Sequence, residues 1–167
     1  MEFRGLRTGL STTAGSSVFQ GITSVTVDAK GRVAIPTRFR DGIVDRGGPT
    51  VIVTAHQYDA CLVLYPLADW EEIARKVSAL PDGSADVRNI KRRFIGQATE
   101  CEIDAAGRIL LPQMLRSFAR IGKGAVVLGQ VHKLELWGEE QWAANEKINA
   151  TLDDASALPE AIQLLSF

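Results

Sequence analysis

The chain has 167 residues, 46% of them hydrophobic and 23% charged, with a net charge of −1, which is the composition of an ordinary globular protein of one domain or two very small ones. No apolar run approaches the roughly 18–20 residues of a membrane span, so a soluble, cytoplasmic protein is expected, and the near-neutral charge supplies no bulk attraction to nucleic acid. Any such attraction has to come from local clusters.

Residues 1–17 carry Arg4 and Arg7 among Ser, Thr and Gly. They lack the apolar segment of about 7–15 residues that a secretory signal needs, and read as an unstructured arm, with a transit peptide as the other reading. Ser24–Val27 alternates and is rich in β-formers, which predicts a strand. Asp28 and Gly31 stand at the first and fourth positions of a type I turn, after which Val33-Ala34-Ile35 resumes a strand. Pro36 suits the first turn of a helix, and PTRFRDGIV is a short helix weakened by Gly42. A loop is expected at DRGGPT (45–50). VIVTA (51–55) and CLVLY (61–65) predict a hairpin around HQYD, and ADWEEIARKVSAL (68–80) a helix. PDGS (81–84) breaks the chain before another short helix, ADVRNIKRRF (85–94). Then come ECEID, DAAGR, ILLP, a helix QMLRSFARIG with Gly122 as its stop, AVVLG, KLELW, the helix EEQWAANEKINATL (139–152), and a tail, ALPEAIQLLSF, with apolar residues at helical spacing.

That series is one pattern written twice. DAKGR (28–32) recurs as DAAGR (104–108), and with Asp28 set on Asp104, Gly31 meets Gly107, Arg32 meets Arg108, Pro36 meets Pro112 and Arg40 meets Arg116. LYPLADW (64–70) likewise matches LWGEEQW (136–142). Neither half holds much core, so the two should pack into one shared core as a pseudo-twofold pair, with the two turns as symmetry mates on one molecule. The fold class is α+β.

VFQGITSVTVDAKGRVAIPTRFRD, ATECEIDAAGRILLPQMLR, CLVLYPLADWEE and the RRFIGQATE junction closely resemble the MraZ family of bacterial transcriptional regulators, from about Val18 to about Asn145. The family hallmark, a doubled Asp-x-x-x-Arg, is intact here as Asp28…Arg32 and Asp104…Arg108. The resemblance implies two tandem AbrB-like (SpoVT-AbrB, swapped-hairpin) domains at 22–69 and 98–141, with a flexible extension at 1–17, a helical connector at 70–97 and a helical tail at 142–167. It implies binding of double-stranded DNA at short direct repeats upstream of the division and cell-wall gene cluster, which begins with the family member's own gene, most simply as a repressor. It also implies a ring-shaped homo-oligomer and association with the nucleoid.

Arg32 and Arg108 are the first candidates for DNA contact, since a guanidinium fork suits phosphates and guanine edges; the alternative is a surface arginine paired with the aspartate of its own turn. For Arg108 a role in assembly is the other reading. Asp28 and Asp104 are expected to shape the turns through Asx-type bonds, and Gly31 and Gly107 to supply the required backbone conformation. Lys30, Arg38 and Arg40 are expected around the first turn, contacting backbone phosphate or forming a solvated face. Lys30 faces Ala106 in the alignment and Arg38 faces Met114, which makes the first copy the main reader. Arg88, Lys91, Arg92 and Arg93, after PDGS, could mimic a helix-turn-helix; a solvated helix face or a subunit contact is the other reading. Trp70, Trp137 and Trp142 read as core or interface anchors. Cys61 and Cys101 belong to no CxxC pair and read as small buried hydrophobes. His56 and His132 do not align between copies and have no catalytic companions. With no nucleophile–base pair, metal set or phosphate loop in view, no enzyme activity, cofactor, metal, membrane partner or small-molecule substrate is expected. An oligomeric scaffold or adaptor, whose doubled turns bind a protein partner, is the competing reading to a DNA-binding regulator.

Overall fold

The computed structural model describes residues 18–149 and 158–165; the expected N-terminal arm at 1–17 lies outside them. The first copy gives β1 (Ile22–Thr26), β2 (Arg32–Ala34), α1 (Thr37–Val44), β3 (Thr50–Ala55), β4 (Leu62–Pro66) and α2 (Leu67–Ser78). After α3 (Ala85–Ile90) and a π-helical turn (Lys91–Ile95), the second copy repeats the order as β5 (Thr99–Glu102), β6 (Arg108–Leu110), α4 (Gln113–Phe118), β7 (Gly124–Gly129), β8 (Leu134–Gly138) and α5 (Glu139–Asn149). The short α6 (Glu160–Gln163) follows.

The copies interleave. Six strands form one sheet in the order β1-β7-β8-β4-β3-β5, and β2 pairs with β6 in a separate ribbon. Each copy's first strand therefore leaves its own copy and pairs antiparallel with the other's third: Ile22 lies opposite Leu128 in β7, and Glu102 opposite Thr50 in β3. The pseudo-twofold is visible in two registers. Leu62, Val63 and Leu64 face Leu136, Glu135 and Leu134, while Arg32, Val33 and Ala34 face Leu110, Ile109 and Arg108. One shared core results, in which Val33, Ile35, Phe39 and Ile43 of the first copy pack with Ile109, Leu111 and Leu115 of the second.

The central strands are buried on both faces, which explains their continuous apolar runs. Leu62 and Leu64 point into the shared core, while Val63 and Tyr65 point outward under α2 and the π turn. On α2, Trp70, Ile73 and Val77 fall at helical spacing and cover that outer face. The expected aromatic anchors lie in two clusters: Trp70 meets Phe94 on this face with centroids 5.2 Å apart, and Trp142 meets Trp137 edge-to-face at 5.7 Å in a separate cluster with Cys61 and Val126. Cys61 and Cys101 are buried, and burial pushes the Cys101 thiol up to about 11. His56 is buried, its Nδ1 accepting from the backbone N–H groups of Tyr58 and Asp59, and His132 is exposed.

Three local expectations are corrected. Pro36 stands one residue ahead of its helix, at the N-cap, where it fixes an extended approach, as Pro112 does before the helix expected from Gln113. Gly122 does not stop α4; Arg120 does, in the left-handed conformation (φ 52°), with Ile121 N–H bonded to Arg116 O and Arg120 N–H to Ser117 O, which is a Schellman closure built on a non-glycine residue. The helix expected over 85–94 changes pitch at Lys91, where Gly96 N–H reaches back to Lys91 O at 3.1 Å; the wider turn places Phe94 against Val63 and Tyr65.

Candidate nucleic-acid interface

The two DAxGR segments fold alike. Asp28 Oδ1 accepts from the backbone N–H groups of Lys30 (3.0 Å) and Arg32 (2.9 Å), and Asp104 Oδ1 from those of Ala106 and Arg108 (both 2.9 Å). Gly31 N–H bonds Asp28 O and Gly107 N–H bonds Asp104 O. The glycines have φ +88° and +77°, so each hairpin is a type I turn closed by a glycine bulge. Through these bonds the aspartate side chains cap their own turns. Their carboxyls are held below the ordinary 3.8 chiefly by the backbone N–H of Arg32 or Arg108.

Each turn is also gripped by the opposite copy. Gly31 O accepts from Leu111 N–H and Gly107 O from Ile35 N–H. A Cβ on Gly31 would fall 2.6 Å from Arg116 Cζ, and one on Gly107 2.6 Å from Arg40 Cζ. Arg40 thus lies against the second turn, not the first where it was expected, because β2 and α1 carry it across the pseudo-twofold. Its Nη2 donates to Thr37 Oγ1 at 2.6 Å and its Nε is buried without a partner. Arg116, its equivalent, donates to Leu111 O and Gln113 Oε1. Sequence reasoning aligned Arg116 with Arg40 but gave it no role.

Between the turns lies the β2/β6 ribbon. Val33 and Ile109 point into the core, so Arg32, Ala34, Arg108 and Leu110 share the outward face. Arg32 Nε donates to Asp28 Oδ2 at 2.7 Å, leaving the terminal Nη groups for an external acceptor. Arg108 Nη1 lies 4.0 Å from the same Asp28 oxygen and its Nε 3.3 Å from Asp104 Oδ2, a distance at which charges attract although the N–H is not aligned for a hydrogen bond. The Asp28 carboxylate therefore sits between both arginines. Lys30 is exposed and shares a shallow hollow with Leu110, Gln113, Glu100 and Glu102. Arg38 departs from the expected cluster: its Nη2 donates to Thr23 Oγ1 on β1 and its guanidinium stacks 4.7 Å over the Phe39 ring. Two strands of three residues, each adjoining one of the turns, form this element, and a two-stranded ribbon is one of the shapes that the major groove admits.

The basic run after PDGS is hydrogen-bonded within the chain, with Arg88, Arg92 and Arg93 exposed. Lys91 Nζ meets Ser78 O, Leu80 O and Asp82 Oδ1, and Arg88 Nη1 meets Asp82 O, so both tie down the α2–α3 connection. Arg93 bonds Gln57 O and lies 5.3 Å from the Phe118 ring, while Arg92 bonds Asn89. Among the described residues there is no group of His, Cys, Asp and Glu that could hold a metal ion, and no helix long and apolar enough to cross a membrane.

A family model described as "MraZ protein, putative antitoxin-like" matches the chain twice, over residues 18–93 and 94–162. The chain is 45% identical over 150 residues to the transcriptional regulator MraZ of Alcanivorax borkumensis, covering 90% of this chain and 100% of that protein. It is 45% identical over 130 residues to that of a Marinomonas species (78% and 86% covered) and 42% identical over 149 residues to that of Saccharophagus degradans (89% and 99%).

Proposed function

This chain belongs to the MraZ family, and from that premise we propose that it is a transcriptional regulator, not an enzyme, that holds double-stranded DNA on the outward face of the β2/β6 ribbon. The observation that carries the reading is the pairing of that ribbon. It sets Arg32 and Arg108 on one exposed face, over a buried Val33–Ile109 pair and between two rigid turns. Arg32 is the main base reader. Its Nε is fixed by Asp28, so the guanidinium plane is oriented before DNA arrives and loses little freedom on binding. Lys30, Arg38 and Arg40 supply phosphate contacts at the margins, Arg40 while also bracing Gly107.

The sites are short direct repeats upstream of the division and cell-wall gene cluster, the chain's own gene included, and occupancy represses that cluster. The protein is cytoplasmic, nucleoid-associated and assembled as a ring. A ring presents several ribbons at fixed spacing, so the second and third contacts become intramolecular and avidity exceeds single-site affinity by about 10²–10⁴. Gel retardation of upstream fragments carrying one, three, and three mis-spaced repeats tests this. Affinity should rise sharply from one repeat to three and fall back when about 5 base pairs, half a helical turn, separate them. Equal affinity for all three refutes the ring mechanism. Failure to retard any fragment refutes DNA binding and favours a protein adaptor.

A further inference from the structure

We infer that Leu110 is a specificity-determining residue of the ribbon, contacting the 5-methyl group of a thymine next to the base read by Arg32. The inference rests on the DNA-binding reading and adds a second reader to it. Leu110 lies directly opposite Arg32 across the β2/β6 pair, on the outward face, and is 58% exposed. A scattered exposed leucine needs no explanation. This one stands beside the proposed base reader. The Arg32 guanidinium fits guanine O6 and N7, and an aliphatic side chain next to it fits the thymine methyl, the one apolar group in the major groove; Gln113 is held by Arg116, which donates to its Oε1. Lys30 and Gln113 line the same hollow as Leu110, with Glu100 and Glu102 on its wall.

The pseudo-symmetric position bears on the assignment. Ala34 occupies the place of Leu110, opposite Arg108, and its single methyl ends too close to the strand to reach a base. Ala106 stands where Lys30 does, and Thr37 where Gln113 does. Methyl readout therefore belongs to the Arg32 end alone.

The test uses the full-length protein and an upstream fragment that it retards, with thymidines replaced one at a time by deoxyuridine, which removes the methyl and leaves base pairing intact. Burial of one methyl group is worth a factor of about four in affinity. Wild-type protein should lose about fourfold at one thymine and nothing at the others. Leu110→Ala should bind thymine and uracil there equally, while Leu110→Met, which keeps an apolar reach, should retain discrimination. Circular dichroism and sedimentation of the variants should match wild type, since the residue is exposed. Wild-type binding that ignores every thymine methyl overturns this inference alone, as does a Leu110→Ala variant that still discriminates or that changes oligomer size in place of base preference. A wild-type protein that retards no fragment overturns the DNA reading, and this inference with it.

Discussion

Replacing Gly107 with alanine probes the grip of one copy on the turn of the other. The residue has φ +77°, and an L-residue held in that region costs roughly 1–2 kcal/mol. The new Cβ would lie 2.6 Å from Arg40 Cζ, about 1 Å inside ordinary carbon contact, so the guanidinium must retreat. Retreat breaks the 2.6 Å bond to Thr37, a loss of about 0.5–1 kcal/mol for an exposed bond; rehydration of the buried, unpartnered Nε keeps it toward the lower end. Gly107→Ala should then destabilise by about 1.5–3 kcal/mol in wild type, and by only the backbone share, about 1–2 kcal/mol, in an Arg40→Ala background. The assay is urea unfolding of the four proteins of this double-mutant cycle at one protein concentration. If alanine costs the same in both backgrounds, Arg40 does not brace the second turn.

Arg32→Ala should lose about 5- to 150-fold in affinity for specific DNA, the equivalent of a bidentate base contact of about 1–3 kcal/mol, and Arg32→Lys should not restore it, because the planar fork is lost; unchanged retardation by either variant refutes the main-reader assignment. The carboxyls of Asp28 and Asp104 titrate below the ordinary 3.8, mainly because backbone N–H groups hold the ionised form. Their stabilisation is present above about pH 4 and lost as pH falls through the lowered folded values, so Asp28→Asn/Asp104→Asn should flatten the acid limb of a urea-midpoint profile, and an unaltered limb would refute the Asx-bond account. Val131 is a β-branched residue at φ 66° whose backbone N–H and C=O both bond Phe19; Val131→Asn keeps those bonds in a conformation asparagine tolerates and should stabilise by about 1 kcal/mol, measured as a raised urea midpoint.

What was legible in the chain was what nearest neighbours determine. The turns were readable because Asp28 and Gly31 act on their own hairpin, and the repeat because the same local chemistry recurs at Asp104 and Gly107. The alternation of Val25, Val27, Val33 and Ile35 marked strands, yet nothing in it says that β1 pairs with β7 and not with β3. Partner choice lies in long-range packing, and with it went the destination of Arg40, which is local to the first turn in sequence and far from it in space. The Schellman closure at Arg120 contradicts the usual glycine signal, so Gly122 drew the helix end too far. Arg88 and Lys91 looked like a free basic face because the backbone oxygens that they bond, at Ser78, Leu80 and Asp82, carry no mark in sequence. Leu110 could have been found by setting the copies side by side and asking why an outward strand position holds alanine once and leucine once.

The interleaved sheet has a consequence for the grammar of the DNA site. Two identical chains exchanging strands in this way would form a true twofold dimer, and its footprint would read the same from either side, as operator palindromes mirror protein dimers. Here both halves lie in one chain, joined through α2, α3 and the π turn. Assembly of the ribbon no longer depends on concentration, and each half is free to change without its twin. The chain has used that freedom at Lys30 against Ala106, Ala34 against Leu110 and Arg38 against Met114. A molecule so altered has a head and a tail, so in the proposed ring on direct repeats successive molecules would all point the same way along the duplex.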